Sequence, residues 1–315
     1  MKDPRNGRGL HHRPLLLWPL LLACLHLGAP ARAAGDVRVL LASDALYYRE
    51  TAASLQRHLE PLAPGISVNV HTQTENWPAD DILVSIGSSA SAELRARYPG
   101  RSALHLFITS DFWREQSAHE TGLDRACAVA LDQPPQRLLT LARVLVPEAH
   151  ALSAVLGPVS RAHADTLTRA ATALGFAPRI GILDPDENPV ATLAPLVNGS
   201  QIVVVLPDSA EFNSATARWL LQLSFRARIP VIGFSRAYTD AGALASVYST
   251  PENIGRQGAE LVAERLARGA FPPGLQPPHY YTVTTNAAVA DALGIALPTD
   301  AVLETQYAAA LREPP

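Results

Sequence analysis

Residues 126–160 read ACAVALDQPPQRLLTLARVLVPEAHALSAVLGPVS. Ala126–Leu131 is a short apolar run closed by Asp132-Gln133-Pro134-Pro135, the pattern of a buried strand running into a turn. Leu138, Leu141, Leu145 and Val146 then recur at helical spacing until Pro147 stops them. Ala151–Leu156 starts the same succession again and leads into Gly157-Pro158-Val159-Ser160. Strand, helix and strand at this spacing build a parallel sheet with helices on both faces. A series that ends near Pro147 and then restarts predicts two similar lobes.

The pattern extends in both directions. Upstream, Val37–Ala42, Ile66–Val70, Ile82–Ile86 and Leu104–Ile108 are strand-like. Between the first two, Tyr48, Ala52, Leu55, Leu59 and Leu62 mark one face of a helix that Pro64-Gly65 ends. Downstream, Arg179–Leu183, Ile202–Leu206 and Val231–Phe234 are strands. Helices run through Leu167–Leu174 and Ala215–Arg226.

In open parallel sheets, ligands bind beyond the carboxyl ends of the strands. Here those ends carry hydroxyls and carboxylates. The candidate ligand-binding residues are Asp44, Tyr47, Ser88, Ser89, Ser110, Asp111, Ser160, Asp208, Ser209 and Ser235. Any one Ser or Asp among them also suits a helix cap, so the argument rests on their convergence. Ser88 and Ser89 are expected to open a helix directly after Ile82–Ile86, where free N–H groups favour a carboxylate. Asp208 is the first candidate to accept from an ammonium and Asp111 the second. Tyr47 or Phe112 would cover an apolar side chain.

Composition excludes several activities. A length of 315 residues allows two domains of about 150 each. Lys2 is the only lysine, which removes Schiff-base and P-loop chemistry from the body. Beyond residue 33 the chain has 21 basic and 28 acidic side chains, a net of −7, so no nucleic-acid partner is expected. No G-x-G-x-x-G and no G-x-S-x-G follows a strand. The seven histidines after residue 33 lack metal-ligand spacing, and Asp184-Pro185-Asp186-Glu187-Asn188 lacks the calcium-loop pattern. No catalytic residue, metal or cofactor is expected.

The N-terminus reads as an export signal. Lys2, Arg5, Arg8 and Arg13 precede the apolar run Leu15–Leu27, and Ala31-Arg32-Ala33 supplies a cleavage site. Cleavage after Ala33 would leave a free periplasmic protein. The alternative takes Leu21-Leu22-Ala23-Cys24 as a lipobox, with a lipid anchor on Cys24. The remaining cysteine, Cys127, sits in an apolar run and reads as a buried hydrophobe.

The segment Arg228-Ile229-Pro230-Val231-Ile232-Gly233-Phe234-Ser235 is followed by Ala241-Gly242-Ala243-Leu244-Ala245-Ser246 and by Asn253-Ile254-Gly255-Arg256-Gln257-Gly258-Ala259. These stretches resemble the signature of the ABC-transporter substrate-binding proteins of the tryptophan/tyrosine type. Asp132–Arg137, Thr285-Asn286-Ala287 and Leu297-Pro298 add support. The resemblance implies a type I periplasmic-binding-protein fold, with two lobes joined by three crossings. It places the crossings near Val146–Ala151, Ser235–Ala243 and Gly269–His279. The lobes would then be 34–148 plus 243–270, and 149–242 plus 271–315. Pocket positions depart from the family pattern at Gly87–Ala90, Ser110–Phe112, Arg161–Ala164 and Asp208–Ala210.

The resemblance implies a monomeric periplasmic binding component of an ABC importer. Its partners would be a small-molecule ligand, such as an amino acid, and an inner-membrane permease. A sensor or interaction subunit on the same fold is the alternative. An exported α/β enzyme is a third reading, opposed by the missing nucleophile and metal site.

Overall fold

The computed structural model describes residues 35–119, 126–184, 188–208 and 214–312. The export signal, Cys24 and Ser209 lie outside the described residues. The first series comprises β1 (Val37–Leu41), α1 (Leu46–Leu59), β2 (Val68–His71), β3 (Ile82–Ile86), α2 (Ser88–Arg97), β4 (Ala103–Ile108), α3 (Ser110–His119) and β5 (Cys127–Ala130). The second begins with α4 (Pro135–Leu145), β6 (Ala151–Leu156), a 3-10 turn at Ser160–His163, α5 (Ala164–Ala173) and β7 (Ala177–Ile182). It continues through α6 (Pro189–Asn198), β8 (Ile202–Val205), α7 (Ser214–Arg226), β9 (Val231–Gly233), α8 (Arg236–Asp240) and β10 (Ala245–Tyr248). The chain closes with α9 (Pro251–Arg268), β11 (Gly274–Gln276), β12 (Thr282–Thr285), α10 (Ala287–Leu293) and α11 (Asp300–Ala310).

Among the described residues the strands form two sheets, ordered β11-β5-β4-β3-β1-β2 and β12-β10-β9-β8-β6-β7. Every pairing is parallel except β10 with β12. Central strands such as Ile82–Ile86 and Ile202–Val205 are buried along their whole length, because helices cover both sheet faces. In the first lobe, Leu55, Leu59, Ile254 and Val262 of α1 and α9 pack on one face. Ala90 and Leu94 of α2 cover Leu40 and Leu83 on the other.

The glycines of the Asn253–Ala259 stretch have a packing reason. A methyl group on Gly255 would lie 2.5 Å from Ser54 Cβ and from the Thr51 carbonyl oxygen. One on Gly258 would lie 2.6 Å from Leu106 Cδ1. Both glycines let α9 settle against α1 and β4. A capping box between Thr250 and Asn253, with Pro251 in the first turn, starts this helix sharply.

The structure moves all three lobe boundaries. Leu138, Leu139 and Leu141 of α4 join Leu152, Ile202 and Ile232 in the second lobe's core, so the chain crosses before α4. Pro147 ends a helix but does not divide the lobes. β10 pairs with β9 in the second sheet through Ala245↔Ile232, although 243–270 was expected in the first lobe. β11 pairs with β5 through Leu275↔Ala128 and so belongs to the first, although 271–315 was expected in the second. The crossings therefore run through 131–135, 248–251 and 277–281. Apolar runs identify strands, but these short ones do not say which sheet they join.

Candidate ligand-binding cleft

The carboxyl ends of both sheets' strands meet at a cavity of about 250 Å³. Phe107, Thr109, Leu131 and Asp132 line it from the first lobe, at the ends of β4 and β5. Pro207, Phe234, Ser235, Tyr248 and Ser249 line it from the second lobe, after β8, β9 and β10. A smaller recess holding Asp111, Gln133 and His163 adjoins it through Asp132 and Pro207. Among the described residues no cluster of His, Cys, Asp and Glu is arranged to hold a metal ion.

Phe107 occupies the left-handed backbone region, with φ of 58°. It sits where the pairing of β4 with β5 shifts register between His105 and Ile108. A bulky side chain at positive φ is strained, by about 1–3 kcal/mol. The bulge turns its ring toward the cavity, where Tyr47 stacks on it at 5.5 Å and Tyr48 meets it edge-on at 5.6 Å. Gly87, with φ of 98°, precedes α2 and donates to the Leu106 carbonyl at 2.9 Å. A side chain there would collide with Tyr48.

Two carboxylates close helix N-termini beside the cleft. Asp132 Oδ1 accepts from the Ser110 N–H at 2.6 Å, and its Oδ2 accepts from the Ser110 hydroxyl at 2.5 Å. In the second lobe, Asp208 Oδ2 accepts from the N–H groups of Val159 and Ser160 at 3.0 and 2.6 Å, and from the Ser160 hydroxyl at 2.7 Å. Gly157 leaves room for that carboxylate, which would lie 2.5–2.7 Å from any Cβ placed there. Each lobe thus neutralises its own helix dipole with an aspartate from the next strand end.

These bonds and the cavity lining place several of the sequence candidates. Asp208 is buried and caps the 3-10 turn within its own lobe, and it is not among the residues that line the cavity. Ser160 is fully buried and Ser110 donates to Asp132, so both hydroxyls are also engaged. Asp44 is exposed, 3.6 Å from Arg49, and is not among the cavity residues. Ser88 and Ser89 do open α2 directly after β3, without a side-chain cap, but they do not line the cavity. Ser235 lines it directly, Tyr47 backs it through Phe107, and Asp111 faces the adjoining recess. Phe112 lies 6.0 Å from the Arg95 guanidinium and packs against the Ile108–Trp113 cluster. Sequence reading missed Phe107, Thr109, Asp132, Phe234, Tyr248 and Ser249. Asp132 carried a usable signal, as a carboxylate directly after an apolar run.

The lobes touch where His163 Nε2 lies 3.2 Å from Asp111 Oδ1. Asp111 also pairs with Arg114. Burial, and then Arg114, hold the His163 pKa below the ordinary histidine value, against a smaller opposing pull from Asp132. The imidazole is therefore neutral at pH 7 and shares a carboxylate that Arg114 already compensates.

The three crossings are tied together beside the cavity. The Gln133 amide donates to Ser249 Oγ at 2.8 Å, and Ser249 Oγ donates to the Tyr280 carbonyl at 2.7 Å. Arg137 reaches from α4 to Gln133 Oε1 at 2.6 Å and to the Pro278 carbonyl at 2.7 Å. One hydroxyl thus contacts all three crossings and lines the cavity as well.

No family model and no curated protein sequence matches the chain. Solved structures do. The ligand-free, open structure of a substrate binding protein with adhesive properties from Clostridium difficile superposes with a TM-score of 0.68 at 14% identity, over 84% of this chain and 97% of that one. A conserved domain protein from Vibrio cholerae gives 0.58 at 17% identity, over 87% and 98%. An ABC domain in complex with L-Trp from Streptococcus pneumoniae gives 0.55 at 16% identity, over 85% and 98%. At these identities the likeness is one of fold. The chain has the two-lobed type I periplasmic-binding-protein architecture.

Proposed function

We propose that the protein is the exported substrate-binding component of an ABC importer and takes one small solute into the cleft between its lobes. The observation that carries this reading is the cavity itself. Five strand ends from two separate sheets supply its walls, and the lobes are joined only by three crossings. Such an arrangement binds by closing, without any chemical step. The neighbours named as a substrate binding protein and as an ABC domain holding L-Trp support a solute-binding role on this fold. Among the described residues no helix is long and apolar enough to cross a membrane.

Small-angle scattering tests the closing cleft. The protein is compared with its retained solute and after that solute has been stripped by unfolding and refolding. A smaller radius of gyration with solute is expected, and equal radii would overturn the reading. Genes for a permease and an ATPase beside its own would favour transport over sensing.

A further inference from the structure

Resting on the reading of the cleft as a solute site, we propose that it selects an organic cation, an amine on an apolar or aromatic body, over carboxylate-bearing solutes. Asp132 is the only charged side chain lining the main cavity, among the described residues. No Arg, Lys or His of the described residues stands within ion-pair distance of it. Its two oxygens each accept one hydrogen bond, both from Ser110, and a carboxylate oxygen can accept another. Around it stand Phe107, Phe234 and Tyr248, whose ring faces attract a cation. Low-dielectric walls strengthen both attractions.

A ligand carboxylate finds no cationic side chain among the described residues that line the cavity. Of the helix N-termini beside the cavity, those of α3 and of the 3-10 turn before α5 are occupied by Asp132 and Asp208, and that of α9 by the Thr250–Asn253 capping box, while α8, whose N-cap Ser235 lines the cavity, is only five residues long. The uncapped start of α2 at Ser88 is not among the lining residues. The Arg137 guanidinium, which reaches the crossings from α4, is engaged with Gln133 and the Pro278 carbonyl. The backbone strain at Phe107 fits this assignment, since it is what brings one ring to the cage.

Three probes with the same phenyl ring and different head groups decide the matter: phenethylamine, phenylalanine and 3-phenylpropionate. Calorimetry on the wild-type protein should rank them in that order, with the amine about tenfold or more tighter than the carboxylate. Asp132→Asn keeps an amide oxygen for the Ser110 N–H and caps a helix about as well as Asp. It should therefore retain the melting temperature and lose the preference for the amine. Glu264→Gln, on the outer helix α9, should keep that preference. An equal or reversed order on the wild type, or no binding by any of the three, overturns the proposal, and neither result requires a variant to fold. Scattering that still shows closure on the retained solute would then leave the binding-protein reading standing.

Discussion

His163 and Asp111 meet in the recess beside the cavity, Nε2 to Oδ1 at 3.2 Å, one from each lobe. His163 lies on the 3-10 turn that Asp208 caps, and Asp111 on the helix that Asp132 caps. Each contact atom is therefore held by its own lobe's framework, and the pair reports on how the lobes are set. Burial lowers the His163 pKa, so this arrangement favours the neutral ring. The groups facing it are Asp111, Arg114 and Asp132. A group whose pKa is lowered in one state disfavours that state as pH falls below the ordinary value. Acidification from pH 7.5 to 5 should thus shift the protein toward a more open form. Scattering across that range should show expansion in the wild type and a smaller expansion in His163→Gln.

A second pH effect lies in the first lobe. His105 is fully buried on β4, with Nδ1 2.8 Å from Ser85 Oγ and Nε2 without a hydrogen-bond partner. Burial, helped by Arg95, lowers its pKa from 6.5 to about 3. The unfolded chain then binds a proton that the folded one refuses. Stability is full above pH 6.5 and falls toward pH 3, by about 1.4 kcal/mol per unit at most from this group. Urea unfolding at several pH values should show a shallower acid slope in His105→Gln.

Closing the gap between α1 and α9 should be costly. Gly255→Val puts a branched side chain where even a methyl group meets Ser54 and Thr51 at 2.5 Å. A loss of about 3 kcal/mol or more is expected in urea unfolding. Gly242→Ala makes a contrast, since open space surrounds that position and only its φ of 122° opposes a side chain. Its loss should be smaller, about 1–2 kcal/mol.

Ser249→Ala removes the hydroxyl that joins the three crossings. It leaves the Gln133 amide without that acceptor and the Tyr280 carbonyl without that donor. Stability should fall by about 1–3 kcal/mol. The larger effect is expected in the hinge. Hydrogen exchange around 131–135 and 277–281 should quicken more than exchange in the sheet centres, and uniform quickening would argue against a local tie.

Phe107→Asn separates strain from function. Asparagine tolerates the left-handed backbone far better than phenylalanine. Relief of strain should offset much of the lost ring packing against Tyr47 and Tyr48, so the melting temperature should change little. Solute affinity should drop about tenfold or more if the ring forms a cavity wall. A large fall in stability with unchanged affinity would make Phe107 a core residue only.

Much of the fold was legible in the sequence, because buried parallel strands leave apolar runs such as Ile202–Val205 that end abruptly in turns. The lobe boundaries were not. Pro147 breaks the pattern visibly, whereas the crossing at Gln133-Pro134 looks like any strand-to-helix turn. β11 and β12 are short strands of three and four residues, too brief to show a period. In the site, Ser235 is legible because a polar residue directly after the apolar run Val231–Phe234 stands out. Phe107 lies within β4 as expected, but the bulge that turns its ring cannot be seen in an apolar run. Asp208 and Ser160 bond to each other at the start of the 3-10 turn. They are 48 residues apart in the chain and adjacent only in the fold.

Native mass spectrometry of the protein isolated from its own source tests the central claim most directly. The wild type should carry one small solute that gentle activation releases, and Ser235→Trp, which fills the cleft, should be bare. A bare wild type, or a solute retained equally by Ser235→Trp, would contradict the account.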